Sequence, residues 1–149
     1  IDWDNEARMK LAKKLGADLV LGKDDNIVET ILAHTNGKGV DNSCEFSGAP
    51  SALSNTIHST RMGGYVNVLS VYGSETTQVP MNDIVFRYLH LKGINGRKMW
   101  STWDKMHELL SEGKIDIETL LTHRMPYQEF NSAVELAISG DCGKVVLDF

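Results

Sequence analysis

Four short segments of this sequence place polar residues and glycines where a predicted strand ends. They cover residues 2–4, 46–48, 69–72 and 93–97. Their carboxylate, hydroxyl and guanidinium groups can hydrogen-bond a polar ligand, and their glycines let a ligand approach the backbone closely. If these strands belong to one parallel sheet, the four segments meet at its carboxyl edge, where such sheets bind ligands. The sequence therefore predicts one crevice lined by these segments.

The elements that must position these residues are predicted strands that alternate with predicted helices. The strands cover residues 18–21, 40–46, 65–71 and 89–94, preceded by a strand that ends at Ile1, and the helices cover residues 5–15, 27–34, 51–59 and 82–87. No hairpin turn separates consecutive strands. This alternation is typical of an α/β fold in which helical crossovers connect parallel strands.

Polar residues and glycine predict where several of these helices begin and end. Asp4 or Asn5 is the expected N-cap of the first helix, and Gly16 is expected to end it. Asp24 or Asp25 is expected to begin the second helix. Pro50 suits the first turn of the third helix, because proline lacks the N–H that this position leaves unpaired.

The pattern changes within residues 89–103, LHLKGINGRKMWSTW. A short strand breaks at Gly93 and Gly96, and an aromatic helix begins near Lys98. Beyond it the sequence predicts helices over residues 99–110, 115–121 and 127–138, an extended segment over 122–125 and a last strand over 144–147. We therefore expect two domains, which comprise residues 1–95 and residues 96–149.

The composition argues against several classes of protein. The net charge of −5 disfavours a nucleic-acid surface, and no apolar run approaches the length of a membrane-spanning helix. Cys44 and Cys142 lie far apart without a CxxC pair, and the five histidines form no HExxH pattern. These features indicate reduced thiols in a cytoplasmic protein and predict no metal site in this segment.

Several motifs match one known family. They are LAKKLGAD at residues 11–18, GVDNSCEFSGAP at 39–50, GINGRKMWSTW at 93–103 and GDCGKVVLDF at 140–149. With them the chain resembles the C-terminal half of zinc-containing, medium-chain alcohol dehydrogenases. The resemblance implies a partial Rossmann-type parallel sheet with helices on both faces, followed by the return of the chain to a catalytic, GroES-like domain. The first strand, its glycine-rich turn and the zinc ligands are expected in a first half that this sequence lacks.

The resemblance also implies an activity. The complete protein is expected to oxidise the secondary alcohol of L-threonine to 2-amino-3-oxobutanoate, with NAD as hydride acceptor and zinc polarising the alcohol. Another zinc-dependent polyol or secondary-alcohol dehydrogenase, of the sorbitol or butanediol type, remains an alternative, as does a non-catalytic nucleotide-binding fragment. We expect no catalytic residue in this segment, which should be inactive alone, and a homotetrameric assembly.

The resemblance assigns cofactor contacts to residues of the four segments and to one helix. The candidate NAD-binding residues are Asp2, Trp3, Asp4, Arg8, Phe46, Ser47, Gly48, Leu69, Ser70, Val71, Gly93, Ile94, Asn95 and Arg97. Trp3 stands where the family has the acid that binds the adenosine ribose, so Asp2 or Asp4 must replace it, unless Asp4 is only the helix cap. Carboxylates at this position would repel a 2′-phosphate and favour NAD over NADP. Arg97 could reach the cofactor phosphates or pair with a carboxylate across a subunit contact.

Overall fold

The structure, a computed structural model, describes residues 5–149. In chain order these residues form α1 (Glu6–Lys14), α2 (Ile27–His34), β1 (Val40–Glu45), α3 (Pro50–Ser59), β2 (Thr60–Val68), α4 (Met81–Phe86), β3 (His90–Gly93), α5 (Ser101–Ser111), α6 (Ile117–Leu120), β4 (Leu121–Pro126), a 3-10 turn (Tyr127–Glu129), α7 (Phe130–Ser139) and β5 (Lys144–Asp148). They divide into two compact units. The sheet unit is Asn26–Arg97, and the terminal unit combines the described residues up to Asp25 with Lys98–Phe149.

The sheet unit contains a three-stranded parallel sheet in the order β1-β2-β3. Helix α3 connects β1 to β2, and α4 lies between β2 and β3. The strands end in register, because Val68 of β2 pairs with both Glu45 of β1 and Gly93 of β3. The predicted α/β fold with parallel strands and helical connections is confirmed.

The core of the sheet unit lies between α3 and the sheet. Leu53 and Ile57 are four residues apart on α3, so they share one helix face, and both pack with Val66 of β2 and with Leu89. Ile57 and Val66 are fully buried. Arg87 joins these layers from the end of α4. Its guanidinium donates to the Ile57 carbonyl at 3.2 Å and also to the carbonyls of His58 and Thr60, and so ties α4 to the junction of α3 and β2.

The terminal unit joins the first helix to the last elements of the chain. Strands β4 and β5 pair in parallel, and α7, which lies between them, ends at Gly140 with a φ of +81°. The Asn5 side chain caps α1 by accepting from the Arg8 N–H at 2.9 Å, and its amide donates to the Asp141 carboxylate at 3.1 Å. Asn5 is therefore the N-cap that the sequence analysis considered beside Asp4. The assignment of residues 1–95 to a dinucleotide-binding domain and of 96–149 to a second domain stays a prediction.

Two local predictions were wrong. Residues 18–21 form no strand, because no strand among the described residues pairs with them; Leu21 of this segment is buried, at 6% exposed, and Leu19 is exposed. Neither Asp24 nor Asp25 begins α2, whose N-cap is Asn26. The Asp25 carboxylate instead accepts from the Gly22 N–H at 2.7 Å and closes the preceding turn.

Two further element boundaries differ from the prediction. Strand β2 covers Thr60–Val68, whereas the sequence predicted a strand over residues 65–71. The strand ends before residues 69–71 because Ser70 and Tyr72 turn toward Glu45 and donate to its carboxylate. Helix α5 begins at Ser101 rather than near Lys98, because Trp100 has a φ of +64°, outside the helical region.

Candidate functional site

The carboxyl ends of the three parallel strands form one continuous edge. The backbone ladder extends one residue beyond the strands, since the Leu69 N–H donates to the Glu45 carbonyl at 2.9 Å and the Ile94 N–H donates to the Val68 carbonyl at 2.9 Å. Three of the four predicted segments, residues 46–48, 69–72 and 93–97, therefore leave the sheet at this edge. The fourth segment, with Asp2, Trp3 and Asp4, lies outside the described residues.

The buried carboxylate of Glu45 is the centre of this edge. Glu45 is 2% exposed, and five donors from two loops surround it. Oε1 accepts from the Ser47 N–H and hydroxyl, both at 2.6 Å, and from the Gly48 N–H at 3.1 Å. Oε2 accepts from the Tyr72 hydroxyl at 2.8 Å and from the Ser70 hydroxyl. A charge buried in this way is stable because every oxygen is hydrogen-bonded.

The same contacts determine the charge state of the site. Burial by itself would raise the pKa of Glu45, but the hydrogen bonds from Ser47, Ser70 and Tyr72 outweigh it and lower the pKa to about 2. Burial and the neighbouring Glu45 carboxylate raise the pKa of the Tyr72 phenol. Near neutral pH the pair is therefore an ionised acceptor and a protonated donor, which is the combination that holds the two loops together.

Gly48 brings the loops after β1 and β2 into direct contact. Its φ is +74°, and a Cβ at this position would lie 2.6 Å from the Val71 carbonyl oxygen. A side chain of any size would separate the two segments, so this position requires glycine. The group that approaches the Gly48 backbone in this structure is the neighbouring loop, and the close approach of a ligand to Gly48 stays a prediction.

Apolar side chains are exposed on these two loops. Phe46 is 70% exposed, Leu69 38% and Val71 91%. Exposed apolar side chains at the ends of parallel strands can line a ligand site, because a ligand ring can cover them. Phe46, Leu69 and Val71 offer a ligand apolar surface and backbone groups. None of these three side chains can act as an acid or a base in proton transfer.

The family described as zinc-binding dehydrogenase matches residues 4–112 of the chain. This chain belongs to that zinc-binding dehydrogenase family. The predicted resemblance to zinc-containing dehydrogenases is therefore confirmed.

Individual relatives of this dehydrogenase chain agree with that assignment. An L-threonine 3-dehydrogenase of Bacillus licheniformis is 42% identical over 144 residues, which cover 96% of this chain and 42% of that protein. One from Thermococcus kodakarensis is 38% identical, with 95% and 41% covered. The chain thus spans about two-fifths of the length of the curated relatives it matches.

Solved structures of alcohol dehydrogenases match the fold of the chain. The 2R,3R-butanediol dehydrogenase from Bacillus subtilis superposes with a TM-score of 0.84 at 26% identity, covering 96% of this chain and 41% of that one. An alcohol dehydrogenase from Thermotoga maritima gives a TM-score of 0.84 at 29% identity, covering 95% and 40%. The parallel sheet and its carboxyl edge are therefore those of a dehydrogenase fold.

The remaining predicted cofactor residues of this dehydrogenase chain occupy different places. Gly93 and Ile94 lie at the end of β3 on the sheet edge, and the exposed Asn95 and Arg97 follow them in the sheet unit. Arg8 is exposed on α1 in the terminal unit, where its guanidinium packs beside Gly140.

Glu45 is the site residue that the sequence analysis missed. The prediction treated residues 40–46 as a strand and placed the ligand contacts at Phe46, Ser47 and Gly48. The available signal was a carboxylate at the last position of a strand, followed directly by Phe-Ser-Gly. A charged residue at a buried position requires donors close by, and the serine and glycine that follow supply them.

The part of the chain that the structure describes contains neither a metal-binding cluster nor a membrane-spanning helix. Within the described residues, no three or more His, Cys, Asp and Glu side chains are grouped so that they could hold a metal ion. The described residues thus do not fit a zinc site. No helix in residues 5–149 has the length and apolar character to cross a membrane.

Proposed function

We propose that the complete protein containing this chain is an NAD-dependent dehydrogenase that oxidises L-threonine to 2-amino-3-oxobutanoate. In this proposal the chain supplies part of the NAD site. Relatives with the name L-threonine 3-dehydrogenase, 36–42% identical over nearly the whole chain, support the substrate. The observation that carries the cofactor assignment is the sheet edge, where the buried Glu45 carboxylate holds two loops that expose Phe46 and Val71.

The residues at this edge fit a dinucleotide. In the proposal, the turn with Ser47 and Gly48 lies beside the ribose and pyrophosphate, and Leu69, Ser70 and Val71 lie beside the nicotinamide. Gly93, Ile94 and Asn95 flank the nicotinamide from the next strand. Backbone N–H and C=O groups of these segments suit the carboxamide, and an aliphatic side chain suits the face of the ring. Bound NAD supplies the hydride acceptor, and the chain's own residues orient it.

Hydrogen bonding limits how Ser47 could take part. Its hydroxyl proton is donated to Glu45 at 2.6 Å, and its oxygen accepts from the Ala49 N–H at 3.2 Å. One lone pair remains. Ser47 can therefore only accept a hydrogen bond from a ligand hydroxyl, which matches a ribose and does not match a phosphate oxygen.

In this proposal the zinc ligands lie in a part of the complete protein that corresponds to the unmatched part of the relatives. When bound, it would polarise the alcohol and lower the pKa of its hydroxyl. The carboxylates of Asp2 and Asp4 are proposed to favour NAD over NADP, with Arg8 near the adenosine. Arg97 is proposed to bind the cofactor phosphates or a carboxylate of a neighbouring subunit in a homotetramer.

A second candidate substrate has its own support. The similarity to the 2R,3R-butanediol dehydrogenase structure favours a secondary alcohol that lacks the amino and carboxyl groups of threonine. Both reactions would use the same cofactor edge, since both transfer a hydride from a secondary carbinol carbon. The two candidates therefore differ only in the substrate pocket.

A substrate panel on the full-length protein tests the proposal. L-threonine, 2,3-butanediol and sorbitol are each supplied with NAD or NADP, and NADH or NADPH formation is followed by absorbance. L-serine is the matched control, because it keeps the amino and carboxyl groups but has a primary alcohol. We expect the highest kcat/KM with L-threonine and NAD. A preference for 2,3-butanediol or sorbitol would replace the substrate, and no activity with any alcohol would refute the function.

A further inference from the structure

We propose that Glu45 is a positioning residue for the dinucleotide site, because its carboxylate joins the turn after β1 to the loop after β2 in one arrangement. The inference rests on the proposed NAD-binding function. Glu45 itself is 2% exposed and enclosed by protein donors, so it acts through the residues that it holds and does not touch the cofactor.

The two oxygens of the Glu45 carboxylate accept hydrogen bonds from different loops. Oε1 receives the donors of the first turn, which are the N–H and hydroxyl of Ser47 and the N–H of Gly48. Oε2 receives the hydroxyls of the second loop, from Ser70 and Tyr72. The most distant donor, Tyr72, lies 27 residues from Glu45 in the sequence. A single side chain therefore couples the conformations of two loops that would otherwise vary independently.

Only a carboxylate at this position serves both loops. All five donors need acceptors, and an ionised carboxylate offers acceptor sites on both oxygens. The amide of glutamine has the same shape but turns an NH2 group toward one of the loops, where donor would face donor. Aspartate keeps the charge but is one methylene shorter and cannot approach both loops at once. Each variant therefore releases one loop while it leaves the other held.

Fixed loops favour ligand binding because less order is lost when the ligand arrives. Phe46 and Val71 belong to the two loops, and Gly48 lies against the Val71 carbonyl. When the carboxylate no longer joins them, these exposed apolar groups should sample several positions. The consequence is weaker NAD binding with a smaller effect on turnover once NAD is saturating.

The test uses Glu45→Gln in the full-length protein at a temperature well below its unfolding. We expect the Kd for NAD, measured by calorimetric titration, to rise about tenfold to a hundredfold, which corresponds to the loss of hydrogen bonds to a charged group. The KM for NAD should rise more than kcat falls. In the absence of NAD, amide hydrogen exchange of residues 46–49 and 69–73 should accelerate.

Asp41→Asn is the matched control, since it removes a carboxylate from the same strand. Asp41 is exposed at the opposite end of β1 and pairs with Arg61 at 2.5 Å, so NAD binding should stay at the wild-type value. Tyr72→Phe is the second variant, because it removes one hydroxyl from the network and keeps the ring that packs on the core. It should weaken NAD binding about threefold to tenfold.

The outcomes separate the inference from the function that it rests on. If wild type binds NAD and both Glu45→Gln and Tyr72→Phe bind equally well, Glu45 does not position the site and the proposed function stands. If Glu45→Gln does not fold, the affinity of Tyr72→Phe decides by the same criterion. If the wild-type protein binds no NAD, the inference and the proposed function are both refuted.

Discussion

Replacing Gly48 by alanine tests the contact between the two loops of the sheet edge. Gly48 has a φ of +74°, and a Cβ there would lie 2.6 Å from the Val71 carbonyl oxygen. Real Cβ atoms do not approach an oxygen so closely, so one of the loops must move. We expect Gly48→Ala to destabilise the protein through two separate effects, backbone strain and this clash.

The size of each effect follows from the local geometry. An alanine in the left-handed region destabilises the folded state by about 1–2 kcal/mol relative to glycine. Alanine also lowers the conformational entropy of the unfolded chain, which offsets about 0.4–1 kcal/mol of this strain. Displacing a packed segment destabilises by a further 1–3 kcal/mol, roughly. The expected loss of unfolding free energy for Gly48→Ala is therefore about 1–5 kcal/mol.

The chain contains a matched control for the strain. Gly37 has a φ of +77°, and a Cβ added there would meet nothing within 4 Å. Gly37→Ala should carry the same strain and the same unfolded-state effect without the clash. Urea unfolding of both variants, followed by circular dichroism, gives the two free energies. Their difference isolates the contact with Val71 and should be about 1–3 kcal/mol.

A small difference would contradict the reasoning. If Gly48→Ala and Gly37→Ala lose the same unfolding free energy within about 0.5 kcal/mol, the loop that contains Val71 can move away from residue 48 at no measurable cost in stability. The loops would then not be held as one body. A reduced NAD affinity in Gly48→Ala but not in Gly37→Ala would support the placement of Gly48 at the cofactor edge.

Three further predictions concern the core, a helix cap and acid stability. Ile57→Ala should lower the unfolding free energy by about 2–5 kcal/mol in urea titration, because Ile57 is fully buried between α3 and the sheet; a loss below about 1 kcal/mol would contradict this packing. Asn5→Ala should destabilise by about 1 kcal/mol through loss of the α1 cap, whereas Lys13→Ala on the exposed face should not. The folded-state pKa of Glu45 is about 2, below its ordinary 4.5, so its contribution is complete above about pH 5 and disappears as the pH falls toward 2. The pH-dependent part of the difference in unfolding free energy between wild type and Glu45→Gln, about 3 kcal/mol, should therefore disappear over that range; a difference that is constant with pH would contradict the lowered pKa.

The sequence predicted the helices and strands of the sheet unit well where local signals coincide. The helix at residues 27–34 matches α2 at both ends, and Pro50 begins α3 as its missing N–H requires. The errors lie where a local pattern depends on a distant partner. Residues 18–21 have the composition of a strand, but a strand needs a neighbour for its backbone groups, and none among the described residues pairs with them.

The candidate site divides in the same way. The order of strands and glycines predicted that residues 46–48, 69–72 and 93–97 leave one sheet edge, because parallel strands share their direction. The position of Asp25 in its turn was not predictable from the helix-cap rule, since a carboxylate can accept from several nearby N–H groups.

Local signals were enough to predict the alternation of strands and helices, the family motifs and the segments that close each strand. These features depend on residues close to one another in the chain. Only the folded chain shows that Glu45 is buried, that Ser70 and Tyr72 donate to it, and that Gly48 lies against Val71. Such contacts arise when the loops of two paired strands meet, and hydrophobic periodicity carries no information about a charged side chain whose partners lie 25 and 27 residues away.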